Sequence, residues 1–393
     1  MQEIVIVSNY YPPEKGAAAN RIEQMAIKLS DYYKVTVICP LGNYPEGKLF
    51  TQYRGKFRVT ENQQNVTVKR LWIYPSNSKN IAKRLLSIQS FSTVLFLRLL
   101  FGKLPEKVIV QSPPLLLSFI AVLALKLRSR TIILNVSDLW PMAALELKVM
   151  RPGSISHKFA LFLERFIYRH ADVILGQSDE ILTHVKTIVA VKDAHLYRNF
   201  PDHKTGFNFR EVHGSGKIKL FYAGLLGVAQ GVLESCQKMD LAGLAIEFHI
   251  FGDGAEKSEI QEYINRHPEK NIVFHGMVER SVLHQKLQEF DIAYVPLATR
   301  IYGSVPSKIF EYGALGMPIL YFGGGEGENL VRDNNLGWVA AVANFAALNA
   351  MLKQISDSGK ASVSAMKPAI YETAQRHFDL DAQLKSLMAK NIF

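Results

Sequence analysis

Short β-branched runs recur through the first half of the chain: Glu3–Val7, Lys34–Cys39, Thr67–Ile73, Lys107–Val110, Thr131–Val136 and Asp172–Gly176. Between most of them lie stretches of helical period. In Arg21–Leu29, for example, Ile22, Met25, Ala26 and Leu29 share one face. Strands alternating with amphipathic helices predict a parallel sheet covered on both faces. The alternation stops near 196–215, where Asn199-Phe-Pro-Asp202 and Gly206, Gly214 and Gly216 cluster as in a linker. It restarts with Lys219–Ala223, Glu247–Phe251, Asn271–His275, Ile292–Val295, Pro318–Phe322 and Trp338–Ala340. From about Ala369 onward, Phe378, Leu380, Leu384 and Leu387 predict a closing helix. The expected organisation is an α/β domain at 1–198, a linker at 199–216, a second α/β domain at 217–368 and a terminal helical segment at 369–393.

Composition narrows the class. The 393 residues are 48% hydrophobic and 21% charged, which excludes disordered, collagen-like and coiled-coil chains. Two cysteines, Cys39 and Cys236, are too few and too far apart for a disulfide framework or a zinc cluster. They point to a reduced, cytoplasmic setting. Met1-Gln-Glu runs straight into Ile4–Val7 without a basic stretch, unlike a secretory signal.

Charge changes the picture more. The net charge is +11, and from Lys69 to Ser137 eleven Lys and Arg face one acid, Glu106. An excess confined to one segment predicts one face meeting an anionic surface, not nucleic-acid binding over the whole molecule. Within it, Lys83 and Arg84 precede the run Phe91–Phe101, which contains Arg98. Bases beside Phe and Leu suit a helix lying in a membrane interface. The uncharged run Leu85–Leu97 falls short of the roughly 20 apolar residues needed to span. A buried helix with basic tips would show the same pattern.

In doubly wound domains ligands bind at loops after the strands, so two such domains are expected to face a central cleft there. The most informative loop is Arg300-Ile-Tyr-Gly-Ser-Val-Pro-Ser-Lys-Ile-Phe-Glu-Tyr-Gly-Ala-Leu-Gly-Met-Pro318. Pro306 suits the first position of a helix and Gly316 its end. The N–H groups of Ser307 and Lys308 would then point out of the helix start and favour a phosphate. Glu311, about one turn on, suits a ribose diol. An ordinary βα turn with a solvated lysine has the same spacing.

Other loops carry weaker signals. Gly323-Gly-Gly-Glu326 and Glu328 suit close backbone approach and sugar hydroxyls, or a flexible turn. Gly16 opens a helix after the first strand, and Gly224 follows the first strand of the second domain. Phe251-Gly-Asp-Gly254 reads as a strand-end turn. Asp138, in Ser137-Asp-Leu-Trp-Pro141, is either a hydrogen-bonding acid or a helix cap. The dinucleotide GxGxxG, HExxH, Walker and GxSxG patterns are missing, which weakens metalloprotease, NTPase and hydrolase readings.

As an ordered set these residues resemble the GT-B glycosyltransferases of glycosyltransferase family 4. The nearest branch is the bacterial surface-polysaccharide one that includes N-acetyl-L-fucosamine transferases. The matching elements are Tyr11-Pro-Pro-Glu14, Gly16, Asn20-Arg21, Asp138-Leu-Trp-Pro141, Tyr222-Ala-Gly224, Gln230-Gly231, Phe251–Gly254 and Pro306–Tyr312 through Pro318. The resemblance implies two Rossmann-like domains, with the last helix crossing back to the first. It implies a nucleotide-sugar donor, such as a UDP-sugar of N-acetyl-fucosamine type, held mainly by the second domain. Glu311 would bind the ribose, Ser307 and Lys308 the diphosphate, with Gly16 closing over it, and the backbone at Met277 and Val278 the base.

Transfer would retain anomeric configuration, without a metal or cofactor. The acceptor, a lipid-linked saccharide of capsule or O-antigen synthesis, would dock near Asp138. Lys83, Arg84, Phe91 and Arg98 would hold the protein peripherally on the inner face of the plasma membrane. The chain departs from the family where a second acid before Glu311 is replaced by Gly303. It departs again where an Arg and a Lys are replaced by Leu225 and Gln230, leaving Lys308 or Arg300 to neutralise the diphosphate. A sugar-nucleotide epimerase and a non-catalytic sugar-binding protein are the competing readings.

Overall fold

Continuous apolar runs make the central strands of the first sheet. In the computed structural model, which describes residues 1–14, 16–44, 46–78, 80–190, 193–202 and 216–393, β1 (Glu3–Val7) is buried along all but its first residue. Part of the expected linker, residues 203–215 with Gly206 and Gly214, lies outside the described residues. The remaining strands of this sheet are β2 (Lys34–Pro40), β3 (Arg58–Gln63), β4 (Val66–Leu71), β5 (Lys107–Ser112), β6 (Thr131–Val136), β7 (Val173–Gly176) and β8 (Ala194–Leu196). Their order is β3-β4-β2-β1-β5-β6-β7-β8, parallel except for the β3–β4 hairpin at one edge. Two of these strands escape the hydrophobic pattern. The residues Arg-Val-Thr-Glu-Asn-Gln of β3 are too polar, and β8 has only three residues.

The second sheet is wholly parallel, in the order β11-β10-β9-β12-β13-β14. Its strands are β9 (Ile218–Leu225), β10 (Ile246–Asp253), β11 (Ile272–Gly276), β12 (Ile292–Pro296), β13 (Ile319–Phe322) and β14 (Gly337–Ala340), each on an expected run. Helices of the first half are α1 (Ala17–Ser30), α2 (Ile81–Phe101), α3 (Leu115–Leu127), α4 (Met142–Glu146), α5 (Ile155–His170) and α6 (Asp179–Ile188). Those of the second are α7 (Val232–Lys238), α8 (Lys257–Arg266), α9 (Arg280–Lys286), α10 (Ser307–Ala314), α11 (Glu326–Asp333), α12 (Phe345–Ala365) and α13 (Lys367–His377), before α14 (Leu380–Ala389).

Contacts divide the chain into two units. The first comprises Met1–Asn199, Tyr302–Ser304 and Asp381–Phe393; the second comprises Phe200–Ile301 and Val305–Leu380. The closing helix α14 therefore returns to the N-terminal unit, as expected, whereas residues 369–380 of the expected terminal segment, with Phe378 and Leu380, stay in the second unit. Lys28 Nζ meets Asp381 Oδ1 at 2.9 Å, and the Gln383 side chain pairs with both backbone groups of Arg198 at 2.8 and 3.0 Å.

In the first unit α2 lays Phe91, Leu95 and Leu99 against the sheet, all fully buried. Each such side chain contributes roughly 1.5–3 kcal/mol by leaving water. This corrects the expectation for Phe91. It lies at the start of the i, i+4, i+8 core stripe and cannot meet a membrane. The helix segment Ala82–Phe101 is long and apolar enough to cross a membrane by length and composition, yet that stripe is core. Arg70 leaves the basic surface too, because its buried guanidinium pairs with Glu61 at 3.0 Å.

Candidate functional sites on the two units

Strand order locates the place to look in the second unit. From β9 the chain winds outward through β10 and β11, then returns to the other side of β9 with β12. Helices leaving β9 and β12 therefore diverge, and the loops at that reversal leave a crevice. These are the Gly224 loop and the loop into α10.

At the crevice α10 begins after Pro306, which occupies the cap position rather than the first helical turn. No side chain among the described residues caps this start. The helix is amphipathic. Ile309, Phe310 and Tyr312 are buried, whereas Ser307, Lys308 and Glu311 lie half-buried on the other side. Phe310 packs edge-on against Phe200 and Phe378, each with ring centres 5.1 Å apart, which fixes the helix. Left-handed Gly316 then ends the segment, and Met317 N donates to Tyr312 O at 2.9 Å.

Lys308 lies along its helix toward Tyr312, four residues further on. Its Nζ donates to Tyr312 Oη at 3.3 Å and lies 5.3 Å from that ring's centre. A Cβ at Gly224 would stand 3.3 Å from Lys308 Cε and 2.9 Å from Tyr222 Oη, so the two predicted residues share one space. Beside them β10 continues its pairing through Gly252 opposite Gly224. Gly252 has φ +151, and a Cβ there would lie 1.9 Å from Gly224 O, so only glycine permits the approach.

Arg300 lies over the glycine loop after β13, since a Cβ on Gly325 would fall 2.8 Å from its Nε. Glu328 pairs with Arg332 one turn along α11. Met277 and Val278 follow β11, two strands from β9, with Met277 largely exposed. Beneath that strand end, His249 Nδ1 lies 2.9 Å from His275 Nε2, and His275 stacks on Phe251 at 4.3 Å. Burial, foremost, holds both imidazoles below their ordinary value.

In the first unit the corresponding reversal falls between β1 and β5. Here polar side chains interrupt apolar strands at their carboxyl ends. Asn135 Nδ2 donates to Gln111 Oε1 at 2.6 Å, and Gln111 Nε2 donates to Ser137 Oγ at 2.8 Å. Ser137 Oγ lies 3.3 Å from Asp138 Oδ2. Burial raises the Asp138 carboxyl above its ordinary range, partly opposed by the Arg21 guanidinium and by Ser137. Asp138 does not cap α4, whose cap position is Pro141. Arg21 Nε, Asn9 Oδ1 and Gln177 Nε2 are buried without a hydrogen-bond partner among the described residues. Unpaired buried groups of this kind are costly unless a ligand completes them.

Residues 302–304 also pack in this unit. Tyr302 N donates to Glu146 Oε2 at 2.9 Å, Gly303 N donates to Glu180 Oε2 at 2.7 Å, and Ser178 Oγ donates to Gly303 O at 2.8 Å. Gly303 has φ +83, and a Cβ would stand 2.9 Å from Ile181 and 3.0 Å from Leu139. Any side chain at this position would be strained, so glycine suits it. At the opposite edge of the first sheet a cavity of about 370 Å³ is lined by Gln2, Tyr33, Lys107 and Phe393, away from all these residues.

Residues 16–196 match the model of a glycosyl transferase 4-like domain, and residues 218–357 match that of glycosyl transferases group 1. The chain is a group 1, family 4-like glycosyltransferase.

Solved structures resemble this glycosyltransferase along its whole length. Sucrose-phosphate synthase from Thermosynechococcus elongatus is 13% identical with a TM-score of 0.75, over 100% of this chain and 99% of that one. Anabaena HepE in complex with UDP is 11% identical with a TM-score of 0.67, over 99% of each chain. The lipopolysaccharide outer core galactosyltransferase WaaB in apo form is 15% identical with a TM-score of 0.64, over 99% of this chain and 100% of that one. At such identities the likeness establishes the GT-B fold. No curated protein matches the chain in sequence.

Sequence reasoning passed over several residues of the glycosyltransferase. The sequence pattern assigns no role to Arg21 as Asp138's neighbour, nor to Gln111, Asn135, Gln177 or the carboxylates Glu146 and Glu180. A signal existed for the amides, since each interrupts an apolar run near a strand's carboxyl end. Of the residues expected at a membrane, Lys83 and Arg84 are exposed. Arg98 is half-buried at the end of α2, where its Nη2 donates to Lys103 O at 3.5 Å.

Proposed function

We propose that this glycosyltransferase moves a sugar from a UDP-sugar to a lipid-linked saccharide in bacterial surface-polysaccharide synthesis, with retention and without a metal. The observation that carries the reading is the meeting of the Gly224 loop and the start of α10 at the strand-order reversal. Glycine backbone, a lysine and an uncapped helix start together suit a diphosphate. Glu311, one turn further, suits the ribose hydroxyls. Arg300 over the Gly323–Gly325 loop supplies a second cation.

The sugar–phosphate bond breaks as the acceptor oxygen bonds to the same carbon from the face the leaving group departs. The acceptor proton passes to the departing phosphate oxygen. The acceptor hydroxyl docks in the first unit, with Asp138 as its hydrogen-bond acceptor. Arg21, Asn9 and Gln177 complete the contacts to neighbouring saccharide hydroxyls. UDP bound by the HepE structure supports uracil as the first base to try.

The test is calorimetry with UDP, GDP and dTDP on the full chain. Selective binding of UDP is expected, and indifference to all three refutes the donor site. Release of free sugar or epimer from a bound donor without any acceptor would favour the epimerase.

A further inference from the structure

The outer layer of the first unit breaks the usual rule that a helix covering a sheet turns a polar face to water. α3 packs between α2 and α5. It buries Leu117, Ala121, Ala124 and Leu125, yet its outward stripe is Leu116, Phe119, Ile120, Leu123 and Leu127. That stripe contains no polar residue, and Leu127 at its end is 62% exposed.

The flanking helices extend it. On α5, Ile155, Phe159 and Phe162 are 88%, 54% and 56% exposed at i, i+4 and i+7. Phe119 joins the helices, with ring centres 6.1 Å from Phe162 and 4.6 Å from Phe166. On α2, Leu85, Leu86 and Leu97 are exposed. A soluble monomer rarely exposes apolar surface so continuously.

Charge identifies what covers it. Lys83 and Arg84 stand at the start of α2, Lys158 and Arg165 along α5, and all four are exposed. Neither α2 nor α3 contains an acid. The one acid of α5, Glu164, is buried and meets His184 Nε2 at 2.9 Å, so it gives the outer face no negative charge. Apolar side chains rimmed by cations, without exposed carboxylates on these helices, suit lipid tails beneath anionic headgroups.

Placement agrees. β4–α2–β5 and β6–α5–β7 are parallel crossovers, so each helix starts at the carboxyl edge of the sheet. Lys83, Arg84, Ile155 and Phe159 thus stand at the same edge as Asp138.

We infer that the outer face of α2, α3 and α5 docks this protein on an anionic lipid bilayer, with Ile155, Phe159 and Phe162 inserted between headgroups. The inference deepens the proposed use of a lipid-linked acceptor, and the binding measurement itself needs no acceptor or donor. The full chain is floated with vesicles of phosphatidylglycerol and phosphatidylethanolamine in equal parts, and with phosphatidylcholine alone. Recovery with the anionic vesicles only is expected, weakening with salt.

The double variant Ile155→Ser, Phe159→Ser changes exposed side chains and should fold. It is expected to bind anionic vesicles about tenfold or more weakly. Lys83→Glu with Arg84→Glu should lose the preference for anionic lipid. Melting temperatures and UDP affinity, read on the same samples, should be unchanged. Absence of UDP binding in the wild type would indict the donor reading instead.

Failure to float with either vesicle overturns the inference, as does equal flotation of wild type and serine variant. A dimer in sedimentation that the serine variant dissociates would overturn it too, by assigning the face to a second copy.

Discussion

At the carboxyl edge of the first sheet the chain presents amides, a hydroxyl and a carboxyl that burial holds toward its protonated form. At the same edge of the second sheet it presents glycines, Lys308, Arg300 and an uncapped helix start. Both places arise from the same topological event, a reversal of strand order, so the fold does not explain the contrast. Residue type does. Backbone N–H groups and cations concentrate positive potential for an anion, whereas amides and a carboxyl offer directional hydrogen bonds to neutral hydroxyls. A transferase needs both, one for the part that leaves as a charged diphosphate and one for the incoming alcohol.

Substitutions that strike one edge should leave the other intact. Asp138→Ala, which removes the hydrogen bond to the acceptor hydroxyl, should lower the transfer rate about tenfold or more while UDP affinity holds. Steady-state kinetics beside calorimetry checks this, and a parallel loss of UDP binding would erase the contrast. Lys308→Ala should do the reverse, weakening UDP about tenfold or more through one lost charge-assisted contact. Acceptor KM should not move.

A smaller effect belongs to Gly303→Ala, which keeps both sites chemically complete but forces a side chain into left-handed backbone against Ile181 and Leu139. It should cost about 1–3 kcal/mol, visible as a lowered Tm. The smallest is the His249–His275 pair. Both are depressed from 6.5, so the unfolded chain takes up protons first as pH falls. Their contribution to stability is intact above 6.5 and is lost as pH drops from there to the depressed folded values. His249→Phe should flatten the decline in urea midpoint over that window.

Much of the fold was legible because apolar runs and Gly–Pro punctuation report backbone directly. All six strands of the second sheet carried such runs, and Gly316 marked the end of α10. The polar edge strand β3 and the three-residue β8 carried none. Helix orientation was the weaker point. Phe91 lies on the buried i, i+4, i+8 stripe with Leu95 and Leu99, and composition alone cannot tell that side of α2 from the side with Leu85 and Leu86.

The first-unit site was hidden for a different reason. Arg21 and Asp138 are neighbours only because β1, β5 and β6 lie side by side, an order that no local pattern states. The reason for glycine at 303 was equally unreadable, since it depends on Leu139 and Ile181 from distant parts of the chain.

The central claim is that the proposed donor site draws its main contacts to the nucleoside diphosphate from the second unit, through Gly224, the start of α10 and Glu311. Titration of UDP into the wild type and into Glu311→Ala tests it most directly. An affinity loss of about a hundredfold with an unchanged melting temperature is predicted, from two hydrogen bonds to a charged group. Equal affinities in the two proteins would contradict it.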